Sequence, residues 1–137
     1  MIEYNFVGRF QLDECDNISN WIQYVLDEEG KDLGEINYIF CDDDYLLEIN
    51  RKELKHNTLT DIISFDFTLG TVVSGDIYIS FERVKDNAVQ IGVDFRDELH
   101  RVMVHGVLHY CGYGDKSAEE KREMRKKEDY YLSLRTF

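Results

Sequence analysis

The chain has 137 residues, 43% of them hydrophobic and 13% aromatic, enough to fill one core as a single domain, 1–137. A formal charge of −12, from 28 Asp and Glu against 16 Lys and Arg, argues against a protein that grips long nucleic acid through many phosphates. No run of about 18 apolar residues appears and the start, MIEYNFVGRFQLDE, lacks a basic-then-apolar leader, so a cytoplasmic protein without a membrane span is expected.

IEYNFV at 2–7 alternates apolar and polar residues and reads as a strand. Ile18, Trp21, Ile22, Val25 and Leu26 recur at helical spacing, with a stop near Gly30. GEINYIFCDDD is a second strand running into an acidic turn, where one of Asp42 to Asp44 caps a helix carrying Tyr45, Leu46, Ile49 and Leu54. IISFDF at 62–67 and GDIYIS at 75–80 flank TLGTVVS, short enough for a hairpin-like connection. Ser80 is placed to cap a helix over 81–91. Asp94 with Asp97 resembles a capping pair for a helix, 94–111, that stops at Gly112. Ser117 with Glu120 is an S-x-x-E capping box for a last helix, 118 to about 133.

Strands and helices are interleaved without strict alternation. The expected class is α+β, a small mixed β-sheet of about four strands with packed helices, and no repeat or linker marks a second domain. Cys15, Cys41 and Cys111 are odd in number, widely spaced and set among apolar residues, which fits buried thiols better than disulfides. From residue 116 onward there are 7 Lys and Arg against 5 Asp and Glu, so the basic residues concentrate in the last helix. There Lys121, Arg122, Arg125, Lys126 and Lys127 alternate with Glu119, Glu120, Glu123 and Glu128, for which helical i,i+4 pairing is a simpler explanation than a face for RNA.

The stretch HGVLHYCGYGDK at 105–116 carries the chemistry. Residues four apart on a helix lie about 40° apart in azimuth and about 6 Å along the axis, so His105 and His109 can reach one ion. Gly112 can end the helix in a left-handed conformation and let the chain swing back, which places Asp115 as a third ligand. Two imidazoles and a carboxylate leave a fourth tetrahedral position for water, the pattern of catalytic zinc. Three other readings fit the same spacing, the plainest being that His105 and His109 are hydrogen-bonded core residues of a mostly apolar helix. Asp115 could belong to the surface, capping the last helix or pairing with Lys116. The histidines could belong to a metzincin-like protease, HExxHxxGxx followed by His or Asp, although Gly106 stands where such an enzyme needs its glutamate base. Glycine at that position leaves room for something to approach the helix between the two ligands.

These residues resemble the YbeY-type metal-dependent endoribonucleases, also called rRNA maturation factors. Their signature, HGxLHLxGxDH, is similar to His105-Gly106-Val107-Leu108-His109-Tyr110-Cys111-Gly112-Tyr113-Gly114-Asp115. A second block, LN, then TDVLSFP, then GDI, is similar to Ile49-Asn50, Thr60-Asp61-Ile62-Ile63-Ser64-Phe65 and Gly75-Asp76-Ile77. The resemblance spans roughly residues 45–116. It implies a mixed sheet with packed helices, one Zn²⁺ per chain in a cleft, cleavage of single-stranded RNA, and work on small-subunit rRNA 3′ ends and ribosome quality control.

Carried over residue by residue, the ligands are His105, His109 and, at the third-histidine position, Asp115. Leu54 stands where the family usually has an arginine, and the adjacent Lys55 and His56 are candidates to supply positive charge to substrate. Thr60, Asp61 and Ser64 are expected to be architectural, a turn into a strand. No side chain is clearly a general base. The leading expectation is therefore a zinc-dependent, single-strand-specific endoribonuclease that works with the small ribosomal subunit and its proteins. The alternatives are a ribosome-associated assembly factor with structural zinc and little nuclease activity, and, behind it, the protease.

Overall fold

The alternating stretches pair into one sheet. The computed structural model describes residues 1–137, with β1 (Ile2–Phe6), β2 (Asp32–Cys41), β3 (Ile62–Asp66) and β4 (Val72–Ser80) in the order β1-β2-β4-β3. The first, second and fourth strands are parallel, and β3 runs antiparallel to β4. Parallel neighbours need crossovers, and α1 (Cys15–Glu28) supplies the one between β1 and β2. The remaining helices are α2 (Asp43–Glu53), α3 (Phe81–Ile91), α4 (Phe95–Tyr110) and α5 (Ala118–Ser133). This is the α+β arrangement expected, including the β3–β4 hairpin, which closes through a bridge between Leu69 and Val72.

Period-two alternation sends Ile36, Tyr38 and Phe40 of β2, with Val73, Ile77 and Ile79 of β4, to one face, where all six are fully buried. They share a core with Ile18, Ile22 and Val25 of α1 and Met103, Val104 and Val107 of α4. On the opposite face Leu46 of α2 packs with Cys41 and Ile63. Polar handles fix the angles. The Tyr38 hydroxyl donates to the Met103 carbonyl at 2.8 Å, and the Trp21 indole donates to the Tyr131 carbonyl at 2.9 Å, tying the sheet to α4 and α1 to α5. The Tyr110 hydroxyl lies 3.0 and 3.1 Å from the Phe65 and Asp76 carbonyl oxygens, in space that a side chain at Gly75 would occupy.

Three of the expected caps form. Asp42 accepts from the Tyr45 N–H, Ser80 from the Arg83 N–H, and Ser117 with Glu120 makes the reciprocal box. The fourth does not. Asp94 occupies the N-cap position of α4, but its side chain caps nothing, and the Asp97 carboxylate is drawn instead to the Arg135 guanidinium at 2.9 Å. The three cysteines are free, and burial pushes the Cys41 thiol up to about 12 and Cys111 to about 11, values at which neither is a thiolate at neutral pH. No helix is long and apolar enough to cross a membrane.

Arg135 also closes the carboxyl end of the chain. It donates to the Leu132 carbonyl and, at 2.7 Å, to Nδ1 of His100, which is only 2% exposed. Burial, reinforced by the charges of Arg135 and Arg96, pushes the His100 imidazole down to about 4. The unfolded chain therefore binds a proton near pH 6.5 that the folded one refuses until about pH 4, and stability is lost as pH falls through that window. Between pH 6.5 and 5 the loss should be about 2 kcal/mol. Urea unfolding should show that extra loss in the native chain and not in His100→Gln; equal losses in both would refute it.

Candidate metal centre

The centre is built on the last turns of α4. His105 and His109 stand one turn apart, with their Nε2 atoms 3.0 Å from each other. Gly112, at φ +106°, ends the helix, and the reversed chain aims the Tyr113 carbonyl at His109 Nδ1, 2.9 Å away. Two residues later Asp115 returns, its Oδ2 3.2 Å from His109 Nε2 and 3.4 Å from His105 Nε2. Asp115 neither caps α5, which Ser117 does, nor pairs with Lys116. Its side chain is 43% exposed and turned toward the two imidazoles.

Proton positions follow from the partners. A carbonyl oxygen only accepts, so His109 Nδ1 carries the hydrogen and its Nε2 presents a lone pair. On the other side His105 Nδ1 donates to Glu128 Oε2 at 2.6 Å, leaving its Nε2 with a lone pair as well. With both rings neutral, two lone pairs and a carboxylate oxygen facing one another at 3.0–3.4 Å repel unless a cation or a shared proton lies among them. Zinc at about 2.0–2.1 Å from each donor, with tetrahedral angles, would space the donors about 3.3 Å apart. The donor set therefore fits such an ion.

Glu128 is the residue that sequence reasoning missed. It is 4% exposed, lies on α5, and is also held by Arg101 at 2.8 Å. A carboxylate behind a liganding imidazole fixes its tautomer and orientation. Burial alone would lower the His105 pKa, but the bond and charge of Glu128, with Asp115 and Asp61 nearby, leave it raised overall. A signal existed: Glu128 falls at helical spacing between the buried Met124 and Tyr131, an acidic residue in an apolar stripe.

Gly106 has a different use from the one expected. A Cβ there would lie 3.0 Å from Cδ1 of Ile77 and 3.2 Å from Cδ1 of Ile62, so what approaches the helix at this point is the sheet. A longer side chain at 106 would meet β3 and β4.

The donors open into a cleft of about 780 Å³ between β3 and α5. On the β3 side it is lined by Thr60, Asp61 and Ser64, and the Thr60 hydroxyl also donates to the Ile62 carbonyl at 3.3 Å within the turn. Burial raises the Asp61 pKa, and raises that of Glu98 deeper in the cleft. Lys121, Arg122 and Arg125 line the α5 side. The pairing expected within α5 is mostly absent, the one contact being Arg125 to Glu128 at 3.7 Å. Lys55 and His56 do not line the cleft. They sit exposed after α2, Lys55 at φ +56°, on a loop that Asn50 holds by donating to the Thr58 carbonyl at 2.8 Å.

Replacing Glu128 by Gln should weaken Zn²⁺ binding about 10- to 100-fold, read by competition with a chromophoric chelator; unchanged affinity would remove Glu128 from the site. Gly106→Ala should fail to deliver the roughly 1 kcal/mol of helix propensity that alanine normally adds, because its Cβ must push aside the Cδ1 tips of Ile77 and Ile62; a full gain in urea unfolding would contradict the close seat.

Residues 8–135 match the family model described as Endoribonuclease YbeY. The protein named Endoribonuclease YbeY in Flavobacterium psychrophilum is 56% identical over 134 residues, covering 98% of this chain and 96% of its own. The Bacteroides thetaiotaomicron protein of that name is 47% identical over 117 residues, 85% of each chain. The solution structure of TM1509 from Thermotoga maritima superposes with a TM-score of 0.70 over 95% of this chain and 87% of that one, at 25% identity. With the match running almost end to end in both directions, the chain belongs to the YbeY endoribonuclease family.

Proposed function

We propose that this chain is a zinc-dependent endoribonuclease that cuts single-stranded RNA, in the cytoplasm, during maturation of small-subunit rRNA 3′ ends and ribosome quality control. The observation that carries the reading is the convergence of His105, His109 and Asp115 on one point at the floor of an open cleft. Relatives that cover nearly the whole chain are named endoribonucleases. One Zn²⁺ per chain would be held by these three residues and, when bound, would supply Lewis-acid polarisation of a phosphoryl oxygen and a lowered pKa for water.

The chain's own groups have separate tasks in this reading. Glu128 and the Tyr113 carbonyl keep protons on the two Nδ1 atoms, so that both Nε2 lone pairs point inward. The β3 wall and α5 bound the strand on either side of the scissile phosphate. Lys55 and His56, outside the cleft, are assigned no contact at the reacting bond.

Three protein donors with a fourth position free suit catalysis better than a structural site, which closes all four positions with protein ligands. That weighs against an assembly factor with merely structural zinc. The protease reading loses its ground at Gly106, where a glutamate would run into Ile77 and Ile62. An overall charge of −12 suits docking against basic proteins of the small subunit, with RNA met only in the cleft.

Purified protein should carry about one equivalent of zinc, and zinc-loaded protein should cleave a single-stranded RNA in a chelator-sensitive way. His109→Ala should lose that cleavage. Equal cleavage by both would point to a contaminant and overturn the reading, as would failure to take up metal on titration at neutral pH.

A further inference from the structure

The cations of α5 are unevenly placed around its axis. At about 100° per residue, Lys121, Arg125 and Arg122 fall within an arc of about 100°, whereas Glu119, Glu120 and Glu123 fall about 160–260° from Lys121. Lys121 has no acidic residue three or four positions away on either side. Lys121 thus stands apart from the glutamates that could have neutralised it along the helix, whereas Arg122 has Glu119 three positions before it and Arg125 has Glu128 three positions after it.

Their arc adjoins the buried stripe of Met124 and Glu128, which turns it toward the ligands, and all three line the cleft with His105, His109 and Asp115. Lys121 and Arg122 have no carboxylate within ion-pair distance. Arg125 reaches only Glu128 at 3.7 Å, and that carboxylate is already held by Arg101 at 2.8 Å and His105 at 2.6 Å. By contrast, Lys127, on another face of the same helix, pairs with Glu29. In a chain with 28 acidic residues against 16 basic ones, two cations without an ion-pair partner and a third that shares its only carboxylate with Arg101 and His105 make this wall of the cleft locally positive.

The same walls carry no Phe, Tyr or Trp, the side chains on which successive bases of a single strand chiefly stack. Lys121 and Arg125, one turn apart, are about 6 Å apart along the axis, a spacing comparable to one nucleotide of an extended strand. Charge without stacking is the chemistry of contact with phosphates rather than bases.

We propose that Lys121, Arg122 and Arg125 form the surface that grips the phosphodiester backbone of the RNA strand, flanking the scissile bond opposite β3 and without selecting bases. The inference rests on the reading of the cleft as a ribonuclease site. It makes α5 bifunctional, since Glu128 on its inner face orients a metal ligand while its outer edge holds substrate.

The test compares zinc-loaded native protein with the triple variant Lys121→Ala, Arg122→Ala, Arg125→Ala, measuring kcat/KM on single-stranded oligouridine and oligoadenosine over a range of salt. Each lost single-strand phosphate contact should lower the slope of log kcat/KM against log salt by about 0.7, so three should lower it by about 2. The native advantage should then be about fifteenfold wider at about 50 mM salt than at about 200 mM. Zinc content and the far-ultraviolet spectrum should be unchanged, because the three side chains lie at the surface, and the charge-conserving variant Lys121→Arg, Arg122→Lys, Arg125→Lys should restore the native slope.

An unchanged slope in a triple variant that still cleaves would overturn the inference and leave the ribonuclease reading standing. A loss confined to one of the two oligomers would overturn the backbone grip in favour of base recognition. Absence of cleavage by the native protein would overturn the ribonuclease reading, and this inference with it.

Discussion

Two imidazole nitrogens held 3.0 Å apart, with a carboxylate oxygen beside them, need a cation or a shared proton among them, and much of this molecule serves to hold them there. The lone pairs face inward because both outer imidazole nitrogens are committed elsewhere. His109 is committed by the turn at Gly112, which delivers the Tyr113 carbonyl, and His105 by Glu128 from a separate helix. A water-facing Nδ1 on either ring would let it change tautomer and lose its direction.

Holding the donors still requires holding α4 still. The helix lies on the sheet at Gly106, where Ile62 and Ile77 come as near as the missing Cβ permits. It is pinned near its start by Arg135, which bonds His100 and Asp97, and at its end by Tyr110, whose hydroxyl reaches carbonyl oxygens on β3 and β4. The sheet therefore sets the height of the ligands, and α5, clamped through Arg101 and Glu128, sets their orientation. The contacts that hold α4 in place thus also place the three candidate donors.

Electrostatics divide the molecule in a way that net charge conceals. The overall balance of −12 repels polyanions at long range, while the cleft brings Arg101, Lys121, Arg122 and Arg125 beside four carboxylates and a place for a divalent ion. Glu128 and Asp115 are absorbed by the ligands and Arg101, which leaves the α5 edge positive. Such a layout admits an anion locally without attracting long nucleic acid everywhere else.

Local chemistry was legible in the sequence because it depends on short-range rules. The His105/His109 pair follows from helical spacing, the stop at Gly112 from its freedom at φ +106°, and the Ser117–Glu120 box from a three-residue reciprocity. The reciprocal half of the Asp94–Asp97 pair was lost to a partner 38 residues beyond Asp97, because Arg135 holds the Asp97 carboxylate. Likewise Glu128, 23 residues from His105, Asp61 on the opposite wall, and the turn of Lys121, Arg122 and Arg125 toward the ligands all depend on how α5 docks. The sequence by itself determined the three candidate donors and the helix that carries two of them, since these lie within one or two turns of each other. Only the tertiary structure decided what orients the ligands and what faces them, because contacts between separate elements arise from packing, and packing leaves no fixed spacing in the chain.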